Sequence, residues 1–247
     1  MNLSDLAAMA ATPAWFSLNI CLPKVKHAWL ELFSAGLTNI ARQFKCQLIG
    51  GNTSRGELNI GITIYGLVNK AQAIFRHGMQ AGDDIYVTGY LGDGAAGLKC
   101  LTTHKLEHTE LINQFKRPTA RIECGLALRH LASAMMDISD GLATDLPRLA
   151  NASRLGATIN VDNLPLSDSM LQFTNQEQAQ HLALTGGDDY ELLFSASSIN
   201  KQRIQQVSKQ LNLPITLIGK ATDKQEVHYH KNNVKYRIAS TEQYTHF

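Results

Sequence analysis

Leu3, Leu6, Ala7 and Ala10 recur at helical spacing and predict a first helix, with Asn2 or Ser4 available as its N-cap and Pro13 ending the run. A second, longer helix is predicted between His27 and Lys45, where Leu30, Phe33, Leu37, Ile40, Ala41 and Phe44 fall on one face and are expected in the core. The period then changes. "CQLIGGNTSRG" reads as a short strand running into a Gly-Gly turn, and "LNIGITIYGLV" alternates Leu58, Ile60, Ile62 and Ile64 with Asn59, Gly61, Thr63 and Tyr65, a strand with one wet face. The polar passage "NKAQAIFRHGMQAGD" separates this α/β unit from the rest and sets an expected domain boundary near residue 70.

The second part opens with strand "DIYVTG", the glycine-rich turn "YLGDGAAG" and a helix to about Leu101. Pro118 marks a helix start whose buried stripe is Ile122, Leu126 and Ala127. The stretch "MMDISDGLATDLPRL" takes an apolar strand into a helix over 142–154, with Gly156 as its C-cap. Strand "ATINVD", a helix near 176–184, strand "YELLFSA", a helix over 200–211, strand "ITLIGK" and a C-terminal hairpin follow.

At 247 residues and 44% hydrophobic, the chain can bury a substantial core. A formal charge of +2, spread along the sequence, lacks the basic stripe of a nucleic-acid binder. Cys21, Cys46, Cys100 and Cys124 form no C-x-x-C pair and read as reduced thiols. No apolar run approaches the ~20 residues that span a bilayer, and the opening "MNLSDLAAMA" lacks the basic start of a signal peptide, so a cytoplasmic location is expected, with no membrane partner.

Candidate chemistry gathers at turns. Asp137, Ser139 and Asp140 lie where a strand gives way to a helix, a place that favours anions and where carboxylates can also hold Mg²⁺. Either Asp140 or Ser139 could instead simply cap the helix, although one cap does not need two carboxylates. "LTGGDDYELLF" repeats the arrangement with Asp188 and Asp189, or is ordinary turn chemistry. "IGGNTSRG" reads as a third such turn, whose glycines would let backbone approach a phosphate, with Asn52 a poorer metal ligand than a carboxylate. Charge at a helix N-terminus accounts for Asp5 unless other acids converge on it. Gly92, Gly94 and Gly97 fit a dinucleotide fingerprint, but no second strand ending in an acid follows.

Taken in order, "NLSDLAAM", "GGNTSRG", "GDDIYVTGYLGDGAAGL", "MMDISDGLATDL", "GGDDYELLF" and "QYTHF" resemble the thiamine-monophosphate kinase family across essentially the whole chain. That family belongs to the ATP-using superfamily of aminoimidazole ribonucleotide synthetase. The resemblance implies a two-domain α/β fold: an incomplete N-terminal ATP-binding and dimerisation domain over 1–70, and a C-terminal α/β domain of the same superfamily over 71–247. It implies transfer of the ATP γ-phosphoryl group to thiamine phosphate in a homodimer, with Mg²⁺. Asp5, Asn52, Asp137 and Asp140 then match metal positions, and Gly51, Asn52, Arg76 and Ser139 match ATP contacts. Asp188 and Tyr244 match contacts to thiamine phosphate, and no residue is expected to act as a general base.

The chain departs from the family pattern in lacking the segment before "NLSDLAAM" that carries further metal ligands and a substrate-contacting histidine. It also has Asn52 for a usual aspartate and Asp188 for a usual glutamate. A remnant that binds thiamine phosphate or ATP without transferring phosphate is the competing expectation, and an NAD-dependent oxidoreductase a more distant one.

Overall fold

The computed structural model describes residues 1–238. A three-stranded sheet is built from β1 (Thr12–Leu22), β2 (Gln47–Arg55) and β3 (Asn59–Leu67), in the order β2-β1-β3. β1 pairs parallel to β2 and antiparallel to β3. Helix α1 (Asn2–Ala8) precedes this sheet, and α2 (His27–Gln43) makes the crossover between the two parallel strands.

A seven-stranded sheet follows, from β4 (Asp84–Thr88), β5 (Ala132–Ile138), β6 (Gly156–Asn160), β7 (Glu191–Ala196), β8 (Ile215–Thr222), β9 (Val227–Lys231) and β10 (Val234–Tyr236). Its order is β10-β9-β6-β8-β4-β7-β5. The connecting helices are α3 (Asp93–Thr102), α4 (Thr109–Lys116), α5 (Ile122–Ala127), α6 (Leu142–Ala152), α7 (Asp168–Phe173), α8 (Gln176–Thr185) and α9 (Lys201–Leu211).

Successive strand residues point to opposite faces, so the large sheet has two cores. Ile85, Val87, Met136, Ile138 and Leu193 face α6, whose Leu142, Leu146 and Leu149 complete one cluster. Tyr86, Met135, Leu192 and Phe194 face the other way, onto Leu6 and Ala7 of α1, Ile122 and Cys124 of α5, and Ile204 of α9. Helix α1 therefore packs on the large sheet, while its Asn2 side chain donates to the Ile62 carbonyl of β3 at 3.1 Å, tying the two sheets together.

Several sequence expectations are corrected. Pro13 does not end the first element but lies inside β1. It is tolerated there because pairing with β2 begins only at Trp15 and the β3 register shifts just after Pro13. Neither Asn2 nor Ser4 caps α1: Met1 holds the N-cap position with no side-chain bond, and the buried Ser4 hydroxyl has no hydrogen-bond partner among the described residues. Helix α2 is amphipathic as read, yet none of its residues is buried, and Leu32 and Ile40 are exposed. Its apolar stripe is not core within this chain.

"IGGNTSRG" is not a turn. Gly50 and Gly51 sit inside β2, where pairing with β1 skips Ile49 (Phe16 with Leu48, then Ser17 with Gly50), a bulge. A Cβ on Gly51 would fall 1.8 Å from the Leu18 carbonyl oxygen, which is why glycine stands there. Pro118 lies before α5, whose N-cap is Arg121. Gly156 starts β6 instead of capping α6; Ser153 holds that C-cap. A Cβ at Gly156 would meet the Lys224 and Glu226 carbonyl oxygens at 1.9 and 2.2 Å.

Candidate active site

β7 lies between β4 and β5 and runs antiparallel to both, so the ends of β4 and β5 and the start of β7 meet at one edge of the large sheet. Three turns therefore converge there: 89–92 after β4, 139–141 after β5 and 186–190 before β7. They are tied to one another by backbone. The Asp188 N–H donates to the Ser139 carbonyl at 2.9 Å and the Tyr190 N–H to the Ile138 carbonyl at 2.8 Å. Gly141, at φ +96°, lies so close to the 185–186 backbone that a Cβ would meet the Gly186 carbonyl oxygen at 2.9 Å. Asp188 itself holds φ +66°, a conformation that aspartate tolerates better than most residues.

The glycine turn after β4 is closed to a ligand phosphate. Asp189 accepts the Gly92 N–H at 2.7 Å and the Gly94 N–H at 3.1 Å, so the amides that a dinucleotide pyrophosphate would need are already occupied by a carboxylate. Burial raises the Asp189 pKa well above its ordinary value, with the two amides opposing that shift. The oxidoreductase expectation loses its only support.

The turn after β5 is organised in the same way. Neither Ser139 nor Asp140 caps α6; its N-cap is Gly141, with no side-chain bond. Instead one oxygen of Asp145, a fully buried residue of the first turn of α6, accepts both the Ser139 N–H (3.0 Å) and the Asp140 N–H (2.9 Å). Arg148 bridges the other Asp145 oxygen, at 2.8 Å, and the carboxylate of Asp140.

The acids converge without forming a cage. Asp137, buried at the end of β5, acts with Asp188 and Asp140 on Tyr190, whose hydroxyl donates to Asp188 at 2.9 Å. Burial, then that hydrogen bond and the three carboxylates, push the Tyr190 hydroxyl pKa up. Asp5 joins from α1: burial and then the Asp137 carboxylate raise its pKa, while the N-terminal amino group and Arg76 oppose. Arg76 is thus an electrostatic neighbour of Asp5. Gly51 and Asn52 stand apart, on exposed β2 at the edge of the small sheet, with Asn52 in register with Asn19 of β1. Tyr244 lies outside the described residues. Among the described residues, no three or more His, Cys, Asp or Glu side chains come close enough to hold a metal ion by themselves.

A cavity of about 590 Å³ opens beside this edge, between α1, α2, β3 and the 116–120 segment, with Tyr190 in its wall. Below the turns, Glu191 is buried and held from two sides: Thr88 Oγ1 donates to it at 2.6 Å, and Arg121 engages it through Nε at 2.8 Å and through Nη2. Asp145, Tyr190 and Arg121 were not singled out by sequence reasoning, and Glu191, which the sequence leaves free to face solvent, is buried. Asp145 could have been, because it is an acid set among Leu142, Leu146 and Leu149 on the apolar face of its helix.

Residues 1–68 match the AIR synthase related protein N-terminal domain and residues 80–231 its C-terminal domain. The thiamine-monophosphate kinase of Salmonella typhimurium is 45% identical over 225 residues, covering 89% of this chain and 69% of that protein. The chain belongs to the AIR synthase related family, in its thiamine-monophosphate kinase branch. Among solved structures of this branch, the thiamine-monophosphate kinase of Stenotrophomonas maltophilia superposes with a TM-score of 0.89 at 39% identity, over 95% of this chain and 77% of that one. AaThiL complexed with AMPPCP and TMP superposes with a TM-score of 0.85 at 30% identity, over all of this chain and 77% of that one. The two-domain α/β fold of the family is the fold expected from the resemblance.

Proposed function

We propose that this chain phosphorylates thiamine phosphate with ATP, giving thiamine diphosphate and ADP. The observation that carries the reading is the convergence of Asp5, Asp137, Asp140 and Asp188 at one sheet edge, in a chain 45% identical to a thiamine-monophosphate kinase. AaThiL, with the same fold, holds AMPPCP and TMP together. A phosphate oxygen of thiamine phosphate attacks the γ-phosphorus of ATP; the new P–O bond forms as the bond to the β-phosphate oxygen breaks, and ADP leaves.

Mg²⁺ fits the donor set present. Burial and then the neighbouring Asp137 carboxylate raise the Asp5 pKa, so a cation between the two would be favoured, and their hard oxygens suit Mg²⁺. That ion typically takes one or two carboxylates and completes its shell with water and phosphate oxygens, so the lack of a three-acid cage is compatible with it. Asp5 and Asp137 would hold it, with Asp140 and Asn52 as candidates for further metal positions, and it would neutralise charge as the two phosphates meet.

The chain's own part is positional. Arg76 and Ser139, with Gly51 and Asn52, would contact ATP. Asp188 and Tyr244 would contact thiamine phosphate, and the Tyr190–Asp188 hydrogen bond beside the cavity supports this role for Asp188. The nucleophile is an ionised phosphate, so no residue is assigned as general base.

The homodimer belongs to the same reading. β2 is exposed along its whole length, and the exposed Leu48, Ile49, Ile60 and Leu67 of the small sheet, with Leu32 and Ile40 of α2, offer apolar side chains that a second copy of this chain would cover. We place the domain boundary near residue 70, supported by β3 of the small sheet ending at Leu67 and β4 of the large sheet starting at Asp84. No described helix is long and apolar enough to cross a membrane, and all four cysteines are unpaired, which supports a cytoplasmic location.

The test is to incubate the purified chain with ATP, Mg²⁺ and thiamine phosphate and to quantify thiamine diphosphate and ADP. Equal, sustained formation of both is expected. Binding of either substrate without product would instead identify a non-catalytic binder.

A further inference from the structure

Two successive amides at a strand-to-helix turn make a concave anion site, and a nucleotide-binding protein would ordinarily leave it open for phosphate. Here the site is filled from inside. Asp145 has no exposed surface, so it cannot touch substrate, yet one of its oxygens accepts both the Ser139 and Asp140 N–H groups. Arg148 locks the other oxygen and reaches on to Asp140. An acid is a costly choice on the apolar face of α6, between leucines that belong to the core. The contacts it makes all lead to one place, the turn between Asp137 and Asp140.

We propose that Asp145 is a positioning residue of the kinase site. By gathering the amides of Ser139 and Asp140 onto a single oxygen, it fixes the turn that presents Asp137 and Asp140 to a divalent cation and makes these amides unavailable to phosphate. The inference rests on the reading of the site as a cation-assisted kinase. Phosphate is then held at this turn through the cation and the side chains, not through backbone N–H groups. Asp145 thus decides which kind of charge the turn accepts.

The test is titration of the full chain with Mn²⁺ alone, reading free Mn²⁺ by electron paramagnetic resonance, for wild type, Asp145→Ala, Asp145→Asn and Asp145→Glu, with thermal melting measured alongside. Asp145→Ala is expected to weaken Mn²⁺ binding by about tenfold or more in protein still folded at the working temperature. Asp145→Asn offers a carbonyl oxygen at the same place and should stay within about threefold of wild type. If Asp145→Ala does not fold, the remaining pair decides: Asn, which keeps the shape and loses the charge, should bind Mn²⁺ more tightly than Glu, which keeps the charge and displaces the turn by one methylene.

A folded Asp145→Ala with wild-type Mn²⁺ affinity and a lowered melting temperature would reduce Asp145 to a structural role and overturn the proposal, as would the reverse order of Asn and Glu. Wild type that fails to bind Mn²⁺ overturns it too. Wild type that binds Mn²⁺ with the expected variant order but makes no thiamine diphosphate overturns only the kinase reading.

Discussion

Asp189 and Gly92 meet at 2.7 Å, carboxylate to backbone N–H, and through that contact the turn before β7 clamps the turn after β4. The same carboxylate takes the Gly94 N–H, so two amides at the start of α3 depend on one side chain. Replacing Asp189 by Ala should destabilise the protein by about 2 to 4 kcal/mol, since both amides lose their acceptor, whereas Asn, which retains one oxygen, should cost less. Urea denaturation of the two variants checks the order; equal losses would contradict the role of the oxygen.

The Glu191–Arg121 pair makes a sharper energetic prediction. Glu191 has a side chain only 6% exposed, so removing Arg121 alone strands a buried charge. Arg121→Met should cost about 3 to 5 kcal/mol, and adding Glu191→Leu should recover part of that loss rather than add to it. A double-mutant cycle in denaturant measures the coupling, and strict additivity would refute it.

Asp93 predicts a pH dependence. Burial pushes its pKa up from 3.8 to about 6, the Ser167 hydroxyl opposes by donating a hydrogen bond, and the Glu191 and Glu110 charges add to the rise. The folded protein therefore holds this proton more tightly than the unfolded chain. Stability from protonated Asp93 is fully present below pH 3.8 and is lost as pH rises through about 6. Asp93→Asn removes that dependence, so the variant should gain on wild type by about 2 to 3 kcal/mol between pH 4 and pH 7. Parallel unfolding curves across pH measure the difference, and a constant offset would contradict the shift.

Asp5 should separate activity from stability. It lies beside Asp137 with like charge, so Asp5→Asn relieves repulsion in the metal-free protein while removing a cation ligand. The variant should melt no lower than wild type without Mg²⁺, yet form thiamine diphosphate at least about a hundredfold more slowly, equal to about 2.7 kcal/mol in barrier. A variant with both properties unchanged would remove Asp5 from the site.

The exposed small sheet predicts its own defect. Leu48 and Ile49 are 50% and 57% exposed on β2, so charged replacements there disturb little inside the chain. Leu48→Glu combined with Ile49→Lys should leave the melting of the isolated chain within about 0.5 kcal/mol and convert a dimer to a monomer in sedimentation. A monomeric wild type would contradict the dimer directly.

The centre of the large sheet was legible because β4 and β7 are buried on both faces and read as short apolar runs, "DIYVTG" and "YELLFSA", each found within a residue or two. The small sheet was not. β1 hid behind Pro13, read as a terminator, and β2 behind two glycines that make a bulge and a close approach rather than a turn. For the site, the acids Asp137, Asp140 and Asp188 could be picked from their turns, because a strand end followed by a glycine and a helix is a local pattern. Of the partners that shape those turns, Asp145 is local and betrayed by its place among leucines, whereas the hold of Asp189 on Gly92, across 97 residues, follows from tertiary packing that spacing alone does not encode.

That separation also governs how the protein must fold. Thr88 and Glu191 are 103 residues apart in sequence and Gly92 and Asp189 are 97, so closing these contacts costs chain entropy that local helices never meet. The edge that gathers the acids is closed by β7 pairing with both β4 and β5, contacts of high sequence separation that are expected to order late. Amide exchange at Gly92 and Gly94 in a refolding pulse would become protected late, well after the helices, and the protein would present no half-built acidic edge to scavenge cations on the way.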